Sequence, residues 1–158
     1  MTSVSSTTQL LEFECRGRRL ALPLESVRRA ISAAEPVPIP GAGEVVLGLL
    51  NLGGELVAVL DLCYRLGLPR SPLSPAQQIL VLDVAGLACG IVVDRIDGVG
   101  EHTLDGAVPS ELHAPPYVKG VLRLDDGLCL IVDPAHVLFP EEREALAKAL
   151  AGGPDGKH

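Results

Sequence analysis

VVLGLLNLGGELVAVLD, residues Val45 to Asp61, is the stretch that decides the fold. Its two apolar runs flank the pair Gly53-Gly54, which predicts a β-hairpin because both residues of a tight two-residue turn take positive φ. Leu56 to Leu60 is almost entirely apolar and predicts a strand buried on both faces. Asp61 follows at once, and an aspartate at this point predicts the N-cap of a short helix.

The same pattern returns 72 residues later in VKGVLRLDDGLCLIVD, residues Val118 to Asp133. The matching positions are Gly48 with Gly120, Leu56 with Leu128 and Asp61 with Asp133. Upstream, Leu10 to Val27 corresponds to Ile79 to Ile96 at a spacing of 69 residues. A unit of about 70 residues therefore occurs twice. The sequence predicts an internal duplication in which matched residues occupy like elements.

Each copy supplies about five short strands and a short helix, too few for an independent sandwich. Closure into a small barrel would remove the exposed strand edges, so we expect two five-stranded barrels in a mainly β protein with short helices. The first barrel is expected over residues 10–67, the second over 78–133, with a proline-rich junction at 68–77. A return helix is expected at 134–140 and a C-terminal helix at 141–151, with a disordered N-terminus at 1–9 and a tail at 152–158.

The composition limits the function classes. Apolar residues make up 47% of the chain and its mean hydropathy is +0.34, which is enough to bury a sizeable core. No apolar run reaches the roughly 18 residues of a membrane-spanning helix, and MTSVSSTTQ lacks a signal-peptide pattern, so a soluble cytoplasmic protein is expected. A formal charge of −7 and 3% aromatic residues argue against nucleic-acid binding.

The residues that usually carry chemistry form no recognisable site. No P-loop or nucleophile elbow is present, and the four histidines lack metal-ligand spacing. The cysteines form no CxxC pair and are expected to be buried reduced thiols; they are Cys15, Cys63, Cys89 and Cys129. No cofactor, metal or catalytic residue is therefore predicted.

Asp94 and Asp97, in VVDRIDGV, are the best candidates for an acid–base pair. Asp61 and Asp133, however, end strands in equivalent places of the two copies, and carboxylates there more simply accept hydrogen bonds from the following turn. We therefore expect no catalysis. A small enzyme or ligand-binding barrel that uses Asp94 or Asp97 is the alternative.

VLGLLNLGGELVAVLDL followed by VVDRIDGV resembles the CheW family, the adaptors of bacterial chemosensory arrays. That family typically shows NLRG, a β-branched strand and DL, then a VD-x-V-x-x-V segment, and the likeness covers about residues 9–140. The resemblance implies a single domain made of two SH3-like barrels. It also implies a non-catalytic adaptor that holds a CheA-type histidine kinase next to methyl-accepting chemoreceptors.

Two positions depart from the family pattern. Gly53 stands where the family usually has the arginine of NLRG, and Arg29 stands where the family often has glutamate. The family associates both positions with partner contacts. The resemblance therefore implies a receptor-facing surface at Arg29, Asn51, Gly53 and Gly54, and a kinase-facing surface near Val99 and Leu104. A divergent adaptor of an accessory pathway fits these changes, and a module that acts outside receptor arrays, as a regulator or homo-oligomer, is the alternative.

Overall fold

The computed structural model describes residues 7–69, 72–84, 86–103 and 115–152. These residues form ten strands, two 3-10 turns and two α-helices. The strands are β1 (Thr7–Cys15), β2 (Arg18–Pro23), β3 (Val27–Ser32), β4 (Val46–Leu52), β5 (Glu55–Leu60), β6 (Gln78–Val84), β7 (Leu87–Val93), β8 (Arg95–Thr103), β9 (Val118–Leu124) and β10 (Gly127–Val132). The 3-10 turns are Leu24–Ser26 and Pro134–His136, and the helices are α1 (Leu62–Arg65) and α2 (Pro140–Gly152).

The strands form two five-stranded sheets with the orders β8-β1-β2-β10-β9 and β3-β6-β7-β5-β4. We call these the outer-copy sheet and the central-hairpin sheet, the latter because it contains the hairpin of Val45 to Asp61. The mainly β architecture with two five-stranded units is thus confirmed. Both sheets contain one parallel pair, between β2 and β10 and between β5 and β7.

The duplication is confirmed in detail by the strand registers. Ala58 pairs with Cys89 in one parallel contact, and the matched residues Leu130 and Leu20 pair in the other. Gly48 lies opposite Val59 on β4 and β5, as Gly120 lies opposite Ile131 on β9 and β10. The register shifts also recur at matched places: the shift in β3–β6 returns in β8–β1, and the shift in β4–β5 returns in β9–β10. Each strand therefore corresponds to the one five places later in the chain.

The predicted division into barrels at 10–67 and 78–133 is wrong. Each sheet combines strands of both copies: the β1–β2 hairpin joins β8, β9 and β10, while β3, β4 and β5 join the β6–β7 hairpin. The reason lies in the duplication itself. Because β1 and β6 are equivalent, β3 satisfies the same hydrogen bonds on β6 that it would have found on β1. Exchange of strands between like units costs little and ties the two halves together.

Three cores follow from this arrangement. Each sheet encloses a small cluster of its own, around Leu10 and Leu122 in the outer-copy sheet and around Val57 and Ile79 in the central-hairpin sheet. A larger cluster between the sheets includes Phe13 and buries side chains from both copies. Because this core is shared, neither half of the sequence is expected to bury its apolar surface alone.

The element boundaries correct several further expectations. Thr7 to Gln9 belong to β1, so the disordered end predicted at 1–9 is wrong for these three residues, while residues 1–6 and 153–158 lie outside the described residues. The 3-10 turn Leu24–Ser26 leads directly into β3. The return helix predicted at 134–140 is only the turn Pro134–His136. None of the helices in the described segments is long and apolar enough to cross a membrane.

Candidate functional site

The β4–β5 hairpin presents its tip to solvent. Gly53 and Gly54 have φ of 64° and 99°, as the glycine pair predicted. The side-chain oxygen of Asn51 accepts a hydrogen bond of 2.7 Å from the backbone N–H of Gly54, which fixes the turn from within. Asn51 and both glycines are exposed. The tip is therefore an exposed, uncharged turn at the residues of the predicted receptor-facing surface.

The other edge strand of this sheet, β3, reaches the hairpin through one side chain. Arg28, the residue skipped in the β3–β6 register, forms two hydrogen bonds of 2.9 Å with the carboxylate of Glu55, the first residue of β5. The Arg28 guanidinium, and more weakly the charge of Arg29, hold the pKa of Glu55 below its usual range. Arg29 itself is exposed. Arg29 and the Asn51 to Gly54 tip thus belong to the same sheet, and the Arg28–Glu55 contact links their two strands.

The second predicted surface lies on the other sheet. Val99 is on β8, an edge strand of the outer-copy sheet, and it is 51% exposed. Leu104 lies outside the described residues. Val99 is the duplicate of Ala30, the neighbour of Arg29, so the two predicted surfaces occupy equivalent regions of the two sheets.

The β9–β10 hairpin of the outer-copy sheet is bound by Arg19, whereas Arg28 binds the β4–β5 hairpin. Arg19, on β2, forms an ion pair with Asp126 in the β9–β10 turn. Its pKa is raised above the usual range mainly by the hydrogen bond to Asp126, with a smaller contribution from the charge of Asp97 on β8. The two hairpin tips therefore differ in charge. The β4–β5 tip is an uncharged glycine pair, whereas the β9–β10 tip carries Asp125 and Asp126.

Two exposed leucines were missed at the sequence level. Leu56 is 44% exposed on β5 and its duplicate Leu128 is 61% exposed on β10. The apolar run of Leu56 to Leu60 predicted burial, and it holds only from Val57 onward. The signal that could have found them was the duplication, because each leucine is the second residue of the strand that follows a hairpin turn. Exposed leucines at matched places are candidate interface anchors.

The carboxylates considered for acid–base chemistry have structural partners. Asp94 accepts hydrogen bonds from the backbone N–H of Arg16 at 2.6 Å and from the side-chain amide of Gln77 at 2.7 Å. Asp97 pairs with Arg95 at 2.8 Å. The matched residues Asp61 and Asp133 accept from the backbone N–H of Tyr64 and Ala135, as the N-cap interpretation predicted.

Three of the four thiols are buried. Cys15, Cys89 and Cys129 are buried, as predicted, whereas Cys63 on α1 is only half-buried. Within the described ranges, no three His, Cys, Asp or Glu side chains are grouped so that they could hold a metal ion.

The C-terminal helix is fastened to α1 through Arg65. The Arg65 guanidinium lies 3.9 Å from the ring centroid of Phe139 and forms an ion pair with Glu142, while its Nε donates to the carbonyl of Val137 at 3.1 Å. Glu142 also accepts a hydrogen bond from the backbone N–H of Phe139, which caps the start of α2. The largely buried Arg65 side chain thus holds α2 against the large core.

The sequence matches a known domain family. The family model described as CheW-like domain matches residues 9–141. The chain belongs to the CheW-like family. The departures at Gly53 and Arg29 are therefore departures within that family, and the two matched hairpins are features of a CheW-like scaffold.

Individual relatives support this assignment. The CheW-like chain is 25% identical over 141 residues to the chemotaxis protein CheW of Rhizobium meliloti, covering 87% of this chain and 91% of the relative. It is 24% identical over 146 residues to the chemotaxis protein CheW of Bacillus subtilis, covering 90% and 94%. It is also 28% identical over 113 residues to the protein PilI of Pseudomonas aeruginosa, covering 69% of this chain and 64% of PilI. The chain thus spans less than two thirds of the length of PilI.

A solved structure shares the fold. The scaffolding protein TtCheW from Thermoanaerobacter tengcongensis has a TM-score of 0.76 and 21% sequence identity, covering 89% of this chain and 99% of TtCheW. The likeness confirms the SH3-like arrangement of the two sheets.

Proposed function

We propose that this CheW-like chain is a cytoplasmic, non-catalytic adaptor that couples chemoreceptors to a CheA-type histidine kinase. The observation that carries the proposal is the pair of equivalent, exposed hairpins on the two sheets, in a chain of the CheW-like family. An adaptor needs two separate surfaces, and the duplication supplies them. The carboxylates that an enzyme would have used are engaged in turns and caps.

The receptor-facing surface would be the Asn51 to Gly54 tip together with Arg29. With Gly53 in place of arginine, this tip lacks the bidentate donor that an arginine offers to a carboxylate or a row of carbonyls. Positive charge is instead supplied from β3 by Arg29, while Arg28 is paired with Glu55. A partner of this surface would therefore present its acidic groups toward β3 rather than toward the hairpin tip.

The kinase-facing surface would be the outer-copy sheet around Val99 and the exposed Leu128. Exposed aliphatic side chains within a polar rim are typical of contact surfaces whose energy is concentrated in a few residues. The rim here is acidic, with Asp125 and Asp126 in the adjacent turn. A kinase domain of similar shape would meet this sheet through apolar contact and basic residues.

The altered surface favours a divergent or accessory pathway over a standard chemotaxis array. The relatives include PilI, a protein without the chemotaxis name, beside several proteins named for chemotaxis. A different receptor partner would account for Gly53 and Arg29 while the kinase-facing sheet keeps its role.

The test is reconstitution of the three-component complex. The purified chain is mixed with the CheA-type kinase and the cytoplasmic fragment of a receptor from the same genome, and assembly is followed by size-exclusion chromatography with light scattering. We expect one complex that contains all three and forms only when this chain is present. Binding to neither component would contradict the proposal, and self-association without them would favour the regulator or homo-oligomer alternative.

A further inference from the structure

A cavity of about 270 Å³ opens between α1 and the neighbouring loops. Its wall is mixed, with apolar groups such as Leu47 and Val92 and polar groups such as Arg16 and Gln77. Cys63 lines this cavity. A small neutral molecule can therefore reach the one half-buried thiol among the four cysteines of the chain.

A second thiol lies behind Cys63. Cys15, at the end of β1, is 1% exposed, and its Sγ donates to the carbonyl of Val92 at 3.5 Å. Val92 also lines the cavity, and Cys63 packs against the same core cluster that contains Cys15. The cavity thus leads to a pair of neighbouring thiols, one reachable and one buried.

The electrostatic surroundings favour the Cys63 thiolate. Hydrogen bonding between the two thiols lowers the pKa of Cys63, and the same interaction together with burial raises the pKa of Cys15. For Cys63, the positive charge of Arg16 acts in the same direction, and partial burial with the charges of Asp61 and Asp94 acts against it. Burial, by contrast, raises the pKa of Cys89 to about 12 and that of Cys129 to about 11. Since the thiolate is the nucleophile, Cys63 is the reactive sulfur.

We propose that Cys63 is a modification site for small hydroperoxides and that Cys15 resolves the oxidised form into an intrachain disulfide. The Cys63 thiolate attacks the terminal oxygen of the hydroperoxide, and the O–O bond breaks. The products are a sulfenic acid on Cys63 and an alcohol, or water where the oxidant is hydrogen peroxide. The Cys15 sulfur then attacks Cys63 Sγ, the S–O bond breaks, and hydroxide leaves with the proton of Cys15 as water. Two thiols are oxidised and one peroxide is reduced.

The bond would link the two sheets. Cys15 ends β1 of the outer-copy sheet, whereas Cys63 lies on α1 directly after β5 of the central-hairpin sheet. A disulfide there joins two residues that are 48 positions apart in the sequence. Closing a loop of this size restricts the unfolded chain and so stabilises the fold. Oxidation would therefore lock the relative placement of the two hairpins.

The test is peroxide titration of the native full-length chain, followed by intact-mass and peptide mass spectrometry. We expect a product lighter by two hydrogen atoms, with the bond mapped to Cys15 and Cys63 and reversed by a thiol reductant. The urea midpoint of the oxidised protein should be higher than that of the reduced protein. In the Cys15→Ala variant, a 1,3-diketone probe for sulfenic acids should label Cys63. In the Cys63→Ser variant, neither the disulfide nor the label should form at Cys15.

Cys89→Ala is the matched control, because it removes a buried thiol remote from the cavity wall and should leave the Cys15–Cys63 bond unaffected. If Cys15→Ala fails to fold, the peptide map of the wild type decides the question alone. The inference is overturned if the native protein forms no intrachain disulfide, or if peroxide oxidises Cys89 and Cys129 as fast as Cys63. It does not depend on the adaptor role, since none of these measurements uses a partner.

Discussion

Arg28 and Glu55 join the edge strand β3 to the β4–β5 hairpin through two hydrogen bonds of 2.9 Å. Arg28 is available for this contact because it is the residue skipped in the β3–β6 pairing, where Val27 faces Leu82 and Arg29 faces Val81. A bulge re-aims a side chain in this way. One register shift thus links the strand that carries Arg29 to the first residue of β5, next to the candidate receptor-facing tip.

The Arg28–Glu55 contact predicts a pH-dependent coupling. The pKa of Glu55 is lowered in the folded state, so its contribution to stability is present above the unfolded pKa and is lost as the pH falls through the folded pKa. In a double-mutant cycle of Arg28→Ala and Glu55→Ala, urea denaturation at neutral pH and low salt should show a favourable coupling. The coupling should fade well below the usual glutamate pKa of about 4.3. A coupling that persists in strong acid would show that the pair acts through packing instead.

The Arg65–Glu142 ion pair predicts a larger effect, because the Arg65 side chain is only 7% exposed. Arg65→Ala removes the ion pair, the contact with Phe139 and the hydrogen bond to Val137 together. Breaking a buried pair from one side typically costs about 3 to 5 kcal/mol, and we expect a loss of stability of about 3 kcal/mol in urea denaturation. Lys148→Ala, an exposed change on the same helix, should be nearly neutral and is the matched control. Equal effects of the two changes would contradict the role given to Arg65.

The duplication was readable from the sequence because it is recorded in turns, glycines and caps. Gly48 and Gly120, and Asp61 and Asp133, fall in matched elements, and the backbone N–H of both aspartates donates at 2.8 Å to matched carbonyls, those of Val45 and Tyr117. Local signals of this kind act within a few residues of chain. They therefore predicted the strands, the hairpins and the helix starts, and the CheW-like resemblance followed from the same residues.

The exchange of strands between the copies was not readable. The apolar pattern of a strand specifies which face it buries. It does not specify which of two equivalent strands is its neighbour. The sequence therefore could not distinguish pairing of β3 with β1 from pairing of β3 with β6. The parallel pairs, such as Ala58 with Cys89, join residues far apart in sequence and have no local signature. The exposure of Leu56 was missed for a similar reason, because it depends on where the strand lies in the sheet.

The duplicated glycines predict an asymmetric response to substitution. Gly48 has φ of 153°, and a Cβ there would lie 2.4 Å from the carbonyl oxygen of Val37, a backbone atom. At Gly120 the nearest atom to a Cβ would be Ile131 Cδ1 at 3.6 Å, an ordinary contact. Gly48→Ala should therefore destabilise the fold by more than about 1 kcal/mol, while Gly120→Ala should be tolerated. Thermal melts of the two variants make the comparison, and similar losses in both would contradict it.

Gly53 predicts where partner choice can be altered. Its φ of 64° lies in the left-handed region, and a Cβ at this residue would have no heavy atom of the described segments within 4 Å, so an arginine meets strain but no clash. We expect Gly53→Arg to fold with a loss of about 1 kcal/mol. It should shift affinity between the cognate and a standard receptor fragment by no more than about 2 kcal/mol, the effect of one interface residue.

Combining Gly53→Arg with Arg29→Glu should move binding further toward the standard fragment, because the pair restores the charge pattern usual in the family. Titration calorimetry of each variant against both fragments measures the shift. Asp125→Arg makes the same change at the matched position of the other hairpin, and should leave receptor binding unchanged while altering kinase binding. If the folded Gly53→Arg and double variants bind both receptor fragments as the parent does, the β4–β5 tip is not the receptor-facing surface. If Asp125→Arg instead alters receptor binding, the assignment of the two hairpins is reversed.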